Sequence, residues 1–302
     1  YAGTSGRAAH LLVGMFHGVT GMVFDMGVAD GADRCVAMCC GTKSFAAAVN
    51  GPAGGRIITR ALQPLPFDLI QEWHIARTPY TCIGPVVQGE SICHAITDAS
   101  RGVMIGTTER HLFALQIDSG DLRVVGEAPG RGRLARGSEG GIFGLDVGDT
   151  LWRYDVAGGT LRRGAVALPA GSWHAAQPSW ARDSATGALY AADAAGQLFR
   201  FTEESGFSAP LARTPHAPVG PMAVTADGRL FGFAGEGMAR LFTFDPASAT
   251  VADLGVAVSV FERRRYGYAF ADAVVGRDGE IVFGEDDDLG HLWLYFPRIK
   301  HA

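Results

Sequence analysis

The sequence is short of several things that would otherwise steer its reading. It holds two lysines, Lys43 and Lys300, and one asparagine, Asn50. The net charge is only −5 and no long basic stretch occurs, which excludes the electrostatic footprint of a nucleic-acid binder. No run of 18 apolar residues is present, so a membrane-spanning helix is excluded. Hydrophobic residues make up 47% and charged residues 19%, which excludes a disordered chain. The cysteines are five, Cys35, Cys39, Cys40, Cys82 and Cys93, an odd number with no Cys-x-x-Cys among them. That argues against a disulfide framework and against zinc spacing. They read as small buried hydrophobes in a reducing compartment, the cytoplasm, unless a signal peptide has been removed. Sustained helical periodicity is missing too, as are G-x-S-x-G and H-E-x-x-H motifs.

What the chain has in excess is glycine, 42 of 302 residues, about twice the usual ~7%. With no collagen period, that much glycine points to many tight turns. A short strand pattern accompanies it and recurs seven times. The copies are His10–Phe16, Arg56–Leu62, His111–Ile117, Thr150–Val156, Gln197–Glu203, Arg240–Pro246 and His291–Pro297. Their second residues fall at 11, 57, 112, 151, 198, 241 and 292. The mean spacing of roughly 47 residues is the length of one four-stranded propeller blade.

Each copy sits in the same context. A small-residue strand precedes it, as in Val103–Thr107, Leu189–Asp193 and Leu230–Ala234. Before that strand comes an Asp/Gly turn, such as Asp98–Gly102, Asp183–Gly187, Asp227-Gly228 or Asp278-Gly279. Aspartate supplies a side-chain bond and glycine a positive φ, which tight hairpins need. A second turn and a weaker fourth strand follow, as in Asp121–Glu127 and Thr250–Val256. The whole chain therefore resembles the β-propeller superfamily. The expected fold is an all-β, seven-bladed propeller of four-stranded antiparallel blades, one domain over residues 1–302. No WD, kelch or YVTN signature fixes a subfamily. The segment Tyr1–Ser5 aligns with the second strand of a blade, and the last blade ends after its third. The terminal blades are thus expected to be incomplete, and a short N-terminal segment to be absent.

Propellers bind ligands at one mouth of the channel, where the loops between strands 2 and 3 meet those leading from one blade to the next. The polar residues of those loops are the candidates. His94, His174 and His216 stand at or just before inner strands, and a neutral imidazole near pH 7 is the usual general base. Arg133 and Arg265 could hold a carboxylate or phosphate, with Tyr266, Tyr268 and Trp173 stacking on a ring. The unusual run Glu262–Tyr268 carries three of the arginines and both tyrosines. This set of His, Tyr and Arg is similar in residue type and placement to that of propeller polysaccharide lyases. That resemblance implies an enzyme acting on an anionic, uronate-type sugar or glycan by elimination or hydrolysis. Arg133 and Arg265 would bind carboxylate, His94 or His174 would be the base, and Tyr268 the acid. A non-catalytic ligand- or protein-binding propeller is the alternative. A second is a lactonase-like hydrolase using a divalent metal held by Glu285, Asp193 and Asp146, with Asp286 of the acidic run after Glu285 as a further ligand; otherwise no cofactor is expected. His10, His111 and His291 open the third strand of their blades and read as repeats of the blade edge.

Overall fold

The computed structural model describes residues 1–17, 20–62, 80–173, 178–259, 265–287 and 290–298. Among them there is no helix, and the strands form seven antiparallel sheets of the blade type. The chain is a seven-bladed β-propeller. Blade 1 consists of Ala2–Gly3, His10–His17 and Thr20–Val28. Blade 2 consists of Arg34–Cys40, Ser44–Gly51, Gly54–Ala61 and Thr81–Ile83. Blade 3 is Ile92–Asp98, Val103–Thr108, His111–Gln116 and Leu122–Glu127. Blade 4 is Arg131–Arg136, Gly141–Leu145, Thr150–Asp155 and Thr160–Ala167. Blade 5 begins with Ser179–Arg182, Leu189–Ala192 and Gln197–Thr202. Blade 6 is Val219–Val224, Leu230–Ala234, Arg240–Asp245 and Thr250–Val256, and blade 7 is Phe270–Val275, Ile281–Glu285 and Leu292–Tyr295. A two-stranded ribbon, Val258–Ser259 with Arg265–Tyr266, lies between the last two.

Six of the seven copies are the third strands of their blades, and the first, His10–His17, is the middle of the three strands described in blade 1. The four-strand expectation holds for blades 2, 3, 4 and 6. Blades 1 and 7 have three strands among the described residues. In blade 5 the outer strand is broken into Gly206–Phe207 and Ala212–Arg213, both paired with Gln197–Thr202. Pro210 lies in the gap and has no N–H to give the ladder. Ser208 bridges part of it, its Oγ accepting from the Arg200 amide at 3.0 Å.

The chain forms two compact units, residues 1–134 with 144–146 and residues 135–143 with 147–302, so blade 4 is divided between them. In the first unit, blade 1 packs on blade 2 through Leu11, Val13, Phe45 and Val49, and blade 2 on blade 3 through Ile57, Ile92, Met104 and Phe113. In the second, Tyr190 and Leu198 of blade 5 meet Met222, Leu230, Phe242 and Phe244 of blade 6. Blade 6 in turn packs on blade 7 through Phe231, Phe233, Phe270 and Phe283. The small second strands now have a cause. A Cβ on Gly106 would lie 2.3 Å from the Phe113 ring across the strand pair, and one on Gly232 would lie 3.0 Å from the Phe242 ring. A large aromatic on strand 3 is accommodated by the missing side chain on strand 2.

The turns follow the aspartate pattern read from the sequence. Asp183 Oδ1 accepts the Ala185 amide at 2.9 Å, and Gly187 closes the hairpin at φ 74°. Two further carboxylates cap neighbouring blades. Asp118, after the third strand of blade 3, accepts the amides of Thr42, Lys43 and Ser44 in the first hairpin of blade 2. Glu203, after the third strand of blade 5, does the same for Glu139 and Gly141 in blade 4 and also holds Arg153. These latches tie the outer end of one blade to the hairpin of the blade before it. No helix among the described residues is long and apolar enough to cross a membrane.

Candidate functional site

The expected site residues fall on both units, and each is described within its own. In the first, His94 and Arg133 come together at the start of the inner strands of blades 3 and 4. The His94 Nδ1 atom accepts the backbone N–H of Leu134 at 3.2 Å. Burial lowers its pKa, and the nearby Arg133 guanidinium lowers it further, to about 3. The ring is therefore neutral across the physiological range, with its proton on Nε2. With the Nδ1 lone pair occupied, His94 offers a hydrogen-bond donor and no site for a proton. This is at odds with its expected role as base.

Thr107 stands directly opposite His94 in the strand pair, so the two side chains share a face. Its hydroxyl is buried and has no hydrogen-bond partner among the described residues. Nothing in the sequence singled it out, since a threonine at the end of a small-residue strand reads as ordinary β filler. The structure thus sets two donors on one face, His94 Nε2–H and the Thr107 hydroxyl, with the Arg133 charge close enough to act on the His94 ring.

The loop ahead of blade 3 carries a second polar centre. Glu90 is 2% exposed and accepts hydrogen bonds from Thr108 Oγ1 at 2.6 Å, the Arg110 amide and side chain, and His111 Nδ1 at 3.0 Å. Burial on its own would raise the carboxyl's pKa. The bonds from Thr108, His111 and Arg110 outweigh it and hold the pKa down at about 2 instead of 4.5.

The two centres predict a broad acid limb. A carboxylate with a depressed native pKa stabilises fully above its unfolded value and loses that contribution as pH falls through the native one. Glu90 thus acts between about 4.5 and about 2. A histidine kept neutral in the native state behaves alike in sign, because the unfolded ring takes up its proton first. His94 therefore costs stability from about 6.5 downward to about 3. Thermal unfolding followed against pH should show stability falling already below about 6.5, and a His94→Asn variant should lose that upper part of the limb. An unchanged profile in the variant would mean that the ring is not neutral in the native state.

In the second unit the expected cluster is taken apart. Trp173 is buried, its Nε1–H given to the Pro169 carbonyl and its ring packed on Phe199 at 5.3 Å and Phe207 at 6.0 Å. It is a core residue and cannot stack on a ligand. Asp193 is used up by backbone amides, accepting Ser172 on one oxygen and Ala195 and Gln197 on the other. That organises its own turn and leaves no geometry for a metal. Glu285 is fully buried, bonded to His291 Nδ1 and to the His291 amide. Asp286 is exposed. Among the described residues no three His, Cys, Asp or Glu side chains form a metal-binding group, so the metal set of Glu285, Asp286 and Asp193 is not assembled. His216 pairs with Asp253 at 3.2 Å, as does Arg240 at 2.9 Å. His174 and residues 262–264 lie outside the described residues.

Strand alternation decides the fate of the Arg-Tyr run. Arg265 turns inward, its guanidinium 3.7 Å from both Glu285 and Asp287. Gly267 also faces inward, where a Cβ would lie 2.6 Å from the Phe270 ring. Tyr266 and Tyr268 point out, 39% and 48% exposed. The expected clamp of arginine and tyrosines is therefore split between two faces.

No family model and no curated protein matches the chain. Among solved structures it is similar to virginiamycin B lyase from Staphylococcus aureus, at 14% identity and a TM-score of 0.58, over 90% of this chain and 86% of that one. It is also similar to the extracellular domain of the hybrid two-component system BT4673 from B. thetaiotaomicron, at 13% identity and a TM-score of 0.55. That match covers 97% of this chain but only 37% of the other. Likeness at these identities shows the propeller fold alone.

Proposed function

We propose that the protein is a ligand-binding propeller that takes a carboxylate-bearing sugar of the uronate type through His94, Thr107 and Arg133. The observation that carries this reading is the His94 tautomer. A ring that accepts from a backbone amide and donates from Nε2, beside a buried unpaired hydroxyl and a guanidinium, offers hydrogen bonds to an acceptor-rich anion. Arg133 supplies the charge and His94 the direction. Elimination or hydrolysis of the same sugar would require a base other than His94.

Titration calorimetry with glucuronate and oligouronates against glucose tests the proposal. Binding should be specific to the carboxylated sugars. Arg133→Ala should weaken it roughly tenfold to a hundredfold, as loss of a charge-assisted bond worth about 1.5–3 kcal/mol implies. Thr107→Val, which keeps the shape, should weaken it less. Equal affinity for glucose would overturn the reading. Release of an unsaturated product during the titration would add turnover to binding.

A further inference from the structure

We propose that His111 is the proton-accepting group of the blade 3 rim, held ready by the buried Glu90 carboxylate with its Nε2 lone pair left open. The inference rests on the Glu90 contacts alone and does not depend on the sugar-binding reading.

An ionised carboxylate can only accept, so the contact between His111 Nδ1 and Glu90 requires the proton on Nδ1. The ionised state is secured by the other donors on Glu90, namely Thr108 Oγ1 and the amide, Nε and Nη2 of Arg110. In the neutral ring, with Nδ1 as the donor, the lone pair sits on Nε2, which has no hydrogen-bond partner among the described residues. The side chain is 25% exposed. His94 and His111 of the same blade therefore hold opposite tautomers, one presenting N–H and the other a lone pair.

The same arrangement recurs in blade 7, where His291 Nδ1 meets the buried Glu285 carboxylate at 3.0 Å. His10 opens the middle strand described in blade 1 and also meets a carboxylate, Asp25 at 2.9 Å, but both partners are well exposed there. An exposed pair of that kind is a weak, solvent-screened contact. At His111 the carboxylate is buried and fully hydrogen-bonded, which is costly to build and fixes the ring in place. The reaction step this permits is simple. An O–H bond of a bound hydroxyl or water breaks, its proton passes to Nε2, and its electron pair stays on oxygen. The resulting imidazolium faces the Glu90 charge, which stabilises it.

Two measurements on the intact protein test this. Nitrogen-15 NMR at neutral pH should show Nε2 unprotonated in His111 and Nδ1 unprotonated in His94. With thiols blocked, bromoacetate should alkylate His111 at Nε2, bromide leaving as the C–N bond forms, with no Nδ1 product and no label on His94. Glu90→Gln should loosen the tautomer and allow some Nδ1 product; if that variant does not fold, the wild-type spectra decide. A protonated Nε2 at His111, or an Nδ1 adduct in the wild type, would overturn the proposal. Neither readout uses the sugar, so failure of the sugar-binding reading would leave both results standing.

Discussion

Replacing Trp152 with alanine is expected to cost about 3–5 kcal/mol of folding stability, as for other fully buried large aromatics. The side chain is completely shielded and stands on the third strand of blade 4. Phe199 and Phe242 occupy the matching places in blades 5 and 6, are equally buried, and should show losses of the same size. The cost combines lost transfer energy with a cavity that neighbouring sheets cannot close, because their backbones are fixed by ladder bonds. Trp293 is the informative contrast. It stands at the same repeat position in blade 7, but its strand is only partly buried and pairs on one side among the described residues. Its replacement should cost clearly less. Denaturant unfolding of the four variants checks the ranking, and a Trp293 loss equal to that of Trp152 would show that its ring is as well covered.

Glu203→Ala should destabilise the protein by about 3 kcal/mol, chiefly through the partners it strands. The carboxylate is 3% exposed and takes two bonds from Arg153, at 3.0 and 2.8 Å. It also accepts the amides of Glu139 and Gly141. Removing it leaves a mostly buried guanidinium with only the distant, exposed Glu139 carboxylate at 3.8 Å. Combining Glu203→Ala with Arg153→Met should recover much of the loss, since the stranded charge disappears with its partner. A double variant as unstable as the sum of the two single changes would place the cost in the hairpin amides instead. Hydrogen exchange at residues 137–141 distinguishes the two, because loss of the cap exposes those amides.

The fold was legible in the sequence to a large degree. The His-Leu-Phe and Thr-Leu-Trp type of strand, its mean period near 47 and the Asp/Gly turns are local features, and local features survive into structure when they repeat. The bulge shared by Asp25-Met-Gly27 and Asp253-Leu-Gly255 shows this well. In both, the aspartate accepts the glycine amide at 2.8 Å and the glycine takes a positive φ. The break at Pro210 was equally readable as a missing donor, though the pattern of four strands hid it.

The site was legible only in part, because side-chain direction and partner choice are tertiary facts. The sequence put His94 and Arg133 in or beside the loops between blades; the structure has them within the inner strands Ile92–Asp98 and Arg131–Arg136, and only the Leu134 amide decided which ring nitrogen of His94 carries the proton. The sequence grouped Arg265 with Tyr266 and Tyr268, and strand alternation over Phe270 sent the arginine one way and the tyrosines the other. Trp173 and Asp193 looked available to a ligand until burial and three backbone amides claimed them. His111 and His291 do repeat one blade edge, but no local pattern marks the buried glutamate that meets Nδ1 in each, Glu90 in one and Glu285 in the other. The sequence by itself determined the number of blades, their strands and their turns, since each depends on residues a few positions apart. The tertiary structure alone decided which polar atoms remain unsatisfied, because that depends on which distant backbone group arrives first.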